Sequence, residues 1–205
     1  GSGSLAATTN GSLSSSGTLN VGEGSTGLMG LYDSGLAAAH SVNNSGTITA
    51  VSGGIGLAAV KGGTNPGFPV TINNTGTINA SGKSSTNTPS IGIYTDVADV
   101  ANTGNINVGT VNLGNESVGV FATGTAVSTI DGTISTGEGS ASKSAIGIVA
   151  QNGADMTMAG TATITTEDKG IGVYAEGAST TATVSNAGNI SVGATGIYMY
   201  SKGAT

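Results

Sequence analysis

The sequence predicts an all-β protein, a right-handed parallel β-helix of about seven coils with variable surface loops. Three observations predict it. Two short phrases alternate along the whole chain, they return with a period of 28–30 residues, and apolar and polar side chains alternate inside each phrase. Self-similarity at such a period marks a solenoid, a propeller or an array. Each unit holds two strand-like segments and no helical pattern, so one unit reads as one coil.

The first phrase is Asn74-Thr75-Gly76-Thr77-Ile78, repeated as Asn44-Ser45-Gly46-Thr47-Ile48, Asn102-Thr103-Gly104-Asn105-Ile106 and Asn186-Ala187-Gly188-Asn189-Ile190. Weaker copies are Ser16-Gly17-Thr18-Leu19, Asp131-Gly132-Thr133-Ile134 and Ala159-Gly160-Thr161-Ala162. With the glycine as origin, position plus two reads Leu19, Ile48, Ile78, Ile106, Ile134, Ala162, Ile190. Position plus four reads Val21, Ala50, Ala80, Val108, Thr136, Ile164, Val192, and position minus four Leu13, Val42, Ile72, Val100, Ser128, Met156, Val184. The residues between are mostly Thr, Asn or Ser, and a period of two marks a strand with one buried face. These apolar columns are therefore expected inside. Position minus two carries Asn44, Asn74, Asn102 and Asn186, but Ile130 and Met158 in two coils. Its parity places it inside as well, where stacked asparagines supply one another with hydrogen bonds. The exchange with Ile130 and Met158 argues for a structural role over a ligand-binding one.

The second phrase is Gly92-Ile93-Tyr94, repeated as Gly30-Leu31-Tyr32, Gly56-Leu57-Ala58, Gly119-Val120-Phe121, Gly147-Ile148-Val149, Gly172-Val173-Tyr174 and Gly196-Ile197-Tyr198. The residue before the glycine, the residue after it and the small residues Ala59, Thr95, Ala122, Ala150 and Ala175 are read as inward columns. The glycines and the ladder Tyr32, Tyr94, Phe121, Tyr174, Tyr198 are then read as outward. Further along, an outward column holds Val60, Asp96, Thr123, Gln151, Glu176 and Tyr200. Between the phrases, segments rich in Gly, Pro, Ser and Asn read as surface loops. Two long ones, Lys61 to Pro69 and Ser81 to Ser90, hold all three prolines and Phe68.

Composition narrows the function. The chain has 205 residues, 37% of them apolar but only 8% charged, with a net charge of −6 and no arginine. Nucleic acid is not an expected partner, because phosphate recognition needs a basic footprint. Cysteine is absent, which removes disulfides and thiolate chemistry. No apolar run is long enough for a membrane-spanning helix. Gly1-Ser2-Gly3-Ser4 reads as an expression scar or linker, leaving residues 5–205 as a single β-helix domain, a fragment of a longer protein.

On these N-x-G-x-I and G-I-Y repeats, in an acidic, cysteine-free chain rich in Ser, Thr, Asn and Gly, the protein resembles the passenger domains of type V autotransporter adhesins. Within that family it is most similar to the large fusobacterial outer-membrane adhesins. The resemblance runs from Leu13 to Tyr200. It implies an extracellular rod exported through a C-terminal outer-membrane barrel, and attachment to host cells or other bacteria through a surface protein or glycan. No barrel strands with an aromatic girdle follow within this chain. The family offers no shared binding motif to carry onto particular residues.

Rival readings find little in the residues. A polysaccharide-cleaving enzyme on such a fold needs clustered carboxylates on one face. Asp96 with Asp99, and Glu167 with Asp168, are neighbours in sequence, but no acidic column survives three coils, so no catalytic residue is assigned. His40 is the sole histidine and has no second nitrogen or sulfur ligand to join it, and the Asp-bearing nonapeptide of calcium-loaded β-rolls is missing. No metal or cofactor is expected. The remaining choice lies between a segment that carries the adhesive site and a spacer in a long stalk. The residues favoured for binding are Phe68, Tyr94 and Phe121, with the two long loops as a wall. The structural alternative for the rings is that they cover exposed glycine backbone. End-to-end self-association is also expected, because no amphipathic helix caps either end and open strand edges invite stacking.

Overall fold

Alternating apolar and polar residues over segments of three to ten residues form the strands, and the phrases stack them in parallel. A computed structural model describes residues 5–7, 12–32, 40–61, 70–96, 106–114, 116–124, 127–136, 145–185 and 189–205. Among these residues every pairing between strands is parallel and there is no α-helix, which is the stacked-coil solenoid that the repeats predict.

The second phrases build one face. It is an eight-stranded ladder, Leu5–Ala7, Thr26–Tyr32, Ile55–Lys61, Ser90–Thr95, Ser117–Ala122, Ile146–Gln151, Ile171–Glu176 and Ile197–Lys202, stacked in chain order. The count differs slightly from seven, because Leu5–Ala7 adds a rung ahead of Thr26–Tyr32. Eight rungs at the usual spacing make a rod about 34 Å long. The first phrases build two ladders side by side. One contains His40–Asn44 and Val70–Asn74, the other Thr47–Val51 and Thr77–Ser81, and Ile106–Leu113 and Val127–Thr136 run through both. The Asn-x-Gly turn separates the two ladders, so each coil is three-sided.

The core fills the space between these faces. Ile48, Ile78, Ile134 and Ile190 are buried there, as the first phrase requires, opposite Leu57, Ile93, Val120, Ile148 and Val173 from the second. At the turn, the buried Asn44 Nδ2 donates to Asn74 Oδ1 at 2.7 Å and to the Gly46 carbonyl at 3.1 Å, while Asn74 Nδ2 donates to the Gly76 carbonyl at 3.2 Å. The asparagine column is thus a structural ladder over these two coils. A side chain at Gly46 or Gly76 would run into the backbone carbonyl of Gly17 or Gly46 in the coil before it, which is why the turn needs glycine.

The register corrects several column assignments. Val111, not Ile106, pairs with Ile78, while Ile106 pairs with Ile72. Ile164, not Ala162, pairs with Ile134, so Thr166 takes the plus-four place beyond it. Ile130, Met158 and Val184 continue the Leu13, Val42, Ile72 column through Ile106, so Val184 keeps its assigned column, Ser128 and Met156 leave it, and Ile130 and Met158 do not replace asparagines in the Asn44 and Asn74 column. Asn102, Val100, Asn186 and the side chains of Ile106 and Val108 lie outside the described residues. On the other face, Leu28 and Met29 pair with Leu57 and Ala58, making Gly27-Leu28-Met29 the true first copy, and Tyr32 stands opposite Lys61. In the last coil Tyr200, not Tyr198, pairs with Tyr174, and Lys202 rather than Tyr200 pairs with Glu176.

Two whole columns also exchange faces. The second-phrase glycines point inward: a Cβ on Gly56, Gly92, Gly119, Gly147 or Gly172 would meet the Cγ of Ile78, Val111, Ile134, Ile164 or Ile190 at 2.8–3.1 Å. It would also lie 2.5–2.8 Å from a carbonyl oxygen of the next coil. Glycine and the aliphatic residue after it therefore both face the core, two adjacent residues on one side as in a bulge. The alternation resets at that point, and the residue before the glycine turns outward. Ile91 and Val118 belong to a second apolar cluster, outside the main core, with Ile55 and Ile146 packed against it.

Candidate functional site

The outer cluster is the floor on which the predicted ring ladder stands. Ile91, Val118 and Val149 are buried in it, and Tyr94, Phe121 and Tyr174 pack on them from outside. Register places Tyr94, Phe121, Val149, Tyr174 and Tyr200 in one column. Tyr94 and Phe121 stack with ring centroids 5.7 Å apart and planes 18° apart, and Tyr174 stacks on Tyr200 at 5.4 Å and 10°. Val149 interrupts the column between the two ring pairs. Two of the three residues singled out for binding, Tyr94 and Phe121, are thus brought into contact. Phe68 lies outside the described residues, as does segment 62–69 on which it sits. Stacking turns one face of each ring toward its neighbour, so what the pairs present outward includes ring edges and the phenol of Tyr94. Burial, then the negative charge of Asp96, pushes that phenol above the ordinary tyrosine range.

The Ser81–Ser90 segment forms a wall held by its own hydrogen bonds. Ser84 N–H donates to the Thr88 carbonyl at 2.8 Å, and the Ser84 hydroxyl accepts from the backbone N–H groups of Thr86 and Thr88 at 3.2 and 3.1 Å. Asn87 turns the tip with a φ of 65°, which asparagine tolerates better than most residues. Two contacts strap this wall to other coils. Ser85 donates through its hydroxyl (2.7 Å) and its N–H (3.0 Å) to Glu23 Oε1, which holds the Glu23 carboxyl below the ordinary range. Lys83 Nζ pairs with Glu116 Oε1 at 3.0 Å in the next coil.

Against this wall lies an open cleft of about 290 Å³, lined by Lys83, Asn87, Pro89, Glu116, Ser117, Val118 and Ile146. Val118 and Ile146 also belong to the outer cluster, so cleft and rings share one surface. No known protein family, no curated protein and no solved structure matches this chain.

Sequence reasoning missed the floor and the Lys83–Glu116 rim. The residues before the glycines are as apolar as a core column, and parity places them inside. The available signal was that a ring ladder on an outer face needs apolar neighbours on that same face. Elsewhere, Tyr174 donates its hydroxyl to Glu176 Oε2 and Lys202 Nζ pairs with Glu176 Oε1, both at 2.7 Å. Asp168 Oδ1 accepts the Ala194 N–H at 2.7 Å, which gives this carboxylate a turn-stabilising role; Asp99 lies outside the described residues. No group of three His, Cys, Asp or Glu residues that could hold a metal occurs among the described residues.

Proposed function

We propose that this chain is an adhesive segment of an extracellular β-solenoid rod, attached to an outer membrane in its full-length form. It would bind a protein or glycan on host cells or other bacteria. The observation that carries the reading is the outer apolar cluster crowned by Tyr94 and Phe121, on the outside of a coil whose core is already filled by Ile78, Ile93, Val111 and Val120. Aromatic side chains are enriched where proteins meet other surfaces, and Tyr94 and Phe121 stay partly exposed above their buried apolar floor. The autotransporter resemblance supports the same reading. A stalk spacer is the second reading, favoured by the mutual stacking of the rings, which covers part of their own surface.

The test is attachment of the labelled protein to epithelial cells and to bacteria, compared with the triple variant Phe68→Ala, Tyr94→Ala, Phe121→Ala. The expected result is loss of attachment with the β-sheet circular dichroism signal unchanged. Attachment that persists in the triple variant would move the site to another face. A wild-type protein that attaches to nothing would leave the spacer reading in its place.

A further inference from the structure

We infer that the cleft between the Lys83–Pro89 wall and the strand Ser117–Ala122 takes one pyranose ring of a neutral glycan. The inference rests on the attachment reading and names its ligand class. At about 290 Å³ the cleft lies just below the usual size of ligand sites, about 300–1,000 Å³, which suits a single ring rather than a folded partner's surface. Its apolar side is formed by the partly exposed Ile146 and Pro89, with Val118 buried beneath them, and suits the C–H face of a sugar. Its rim carries a donor and an acceptor side by side, Lys83 Nζ and Glu116 Oε1, 3.0 Å apart. Neighbouring hydroxyls of a sugar can donate to the carboxylate and accept from the ammonium at once. The Asn87 amide at the tip adds both a donor and an acceptor.

Charge decides between neutral and acidic sugars. Lys83 is already matched by Glu116, so the rim offers no net positive charge to a carboxylate or sulfate. The chain as a whole carries −6, which disfavours an anionic ligand further. The wall is held by its own hydrogen bonds and by the Glu23 strap, so the rim groups are positioned before any ligand arrives.

The experiment presents the protein to an array of neutral hexose- and N-acetylhexosamine-terminated glycans beside their sialylated and sulfated counterparts. Cell attachment is measured in parallel. Binding is expected to neutral termini and to fall at least about tenfold in Glu116→Gln, since a hydrogen bond to a charged group is lost. Asn87→Gly, which keeps the turn but removes the amide, should weaken binding independently of the ion pair. Ser191→Ala, exposed on another face, should bind as the wild type does. Equal binding by wild type, Glu116→Gln and Asn87→Gly overturns the inference. So does attachment to cells without recognition of any neutral glycan, which leaves the attachment reading standing. A protein that attaches to neither cells nor glycans overturns both.

Discussion

Gly119 shows how one atom sets the packing of a coil. Its missing Cβ would lie 2.5 Å from the Gly147 carbonyl oxygen and 2.9 Å from Ile134 Cγ2. Backbone cannot move aside as a side-chain end can, so Gly119→Ala should strain the contact between two coils. Overpacking of this kind costs about 1–3 kcal/mol. Gly17 has nothing within 4 Å of the same position and a φ outside the left-handed region. Gly17→Ala should therefore leave stability within about 0.5 kcal/mol. Chemical denaturation of the two variants checks the difference, and equal midpoints would mean that the second-phrase glycines do not face the core.

Cross-strand groups on neighbouring rungs can be tested by titration. Tyr174 and Glu176 share the strand Ile171–Glu176, and Lys202 lies on the next rung opposite Glu176. The hydrogen bond from Lys202, followed by that from Tyr174, holds the Glu176 carboxyl below its ordinary range. The bond to Glu176 raises the Tyr174 phenol, and the same carboxylate raises Lys202. The depressed Glu176 contributes above the ordinary carboxylate range and loses its contribution as pH falls through its folded value. The raised Lys202 contributes below the ordinary lysine range and loses its contribution as pH rises through its own. The pair thus holds between the two ranges. Because these groups are exposed, the clean readout is titration rather than melting. Followed by NMR, Glu176→Gln should bring the Tyr174 titration down toward the ordinary tyrosine value, and an unchanged titration would remove the bond from the account.

The same strands show what was legible in the sequence. Ile48, Ile78 and Ile134 announced a stacked core, Asn44 and Asn74 a buried amide ladder, and Tyr94 and Phe121 an outward ring pair, and the structure has all three. The failures came from repetition itself. In a chain this rich in Asn, Thr and Gly, Asn102-Thr103-Gly104 imitates the turn phrase, yet the strand that pairs with Thr77–Ser81 begins its match at Thr110. Gly30 and Gly196 imitate the second phrase in the same way, two or three residues off register. The phase reset at glycine was invisible to parity, because a period of two assumes that no residue is skipped. That hid the floor of the candidate site while leaving its rings in view.

At the scale of the molecule the solenoid is held by neighbours, so each rung depends on the one above and below it. Ile197, Met199 and Tyr200 on the last rung are 42%, 38% and 43% exposed. Met199 occupies the column that is buried as Val173 one rung earlier. Backbone covers part of this end, since Thr205 N–H donates to the Thr180 carbonyl and the Ala182 N–H donates to the Thr205 carbonyl, both at 2.9 Å. The edge of Ile197–Lys202 has no further rung among the described residues. The 205-residue chain is therefore expected to self-associate end to end in sedimentation experiments, and Met199→Lys should shift it toward monomer. A wild-type chain that remains monomeric at high concentration would contradict this expectation.

The outer face depends on the register that puts Tyr94, Phe121, Val149, Tyr174 and Tyr200 in a single column. Disulfide formation tests it most directly, because the natural chain has no cysteine to compete. A bridge needs Cα atoms about 4.4–6.8 Å apart with side chains on the same side, which neighbours in one parallel column satisfy. Tyr174→Cys combined with Tyr200→Cys should close a disulfide under mild oxidation, and Tyr174→Cys combined with Tyr198→Cys should not. The reverse outcome, a bridge through position 198 and none through position 200, would contradict the register and with it the outer column on which the proposed site is built.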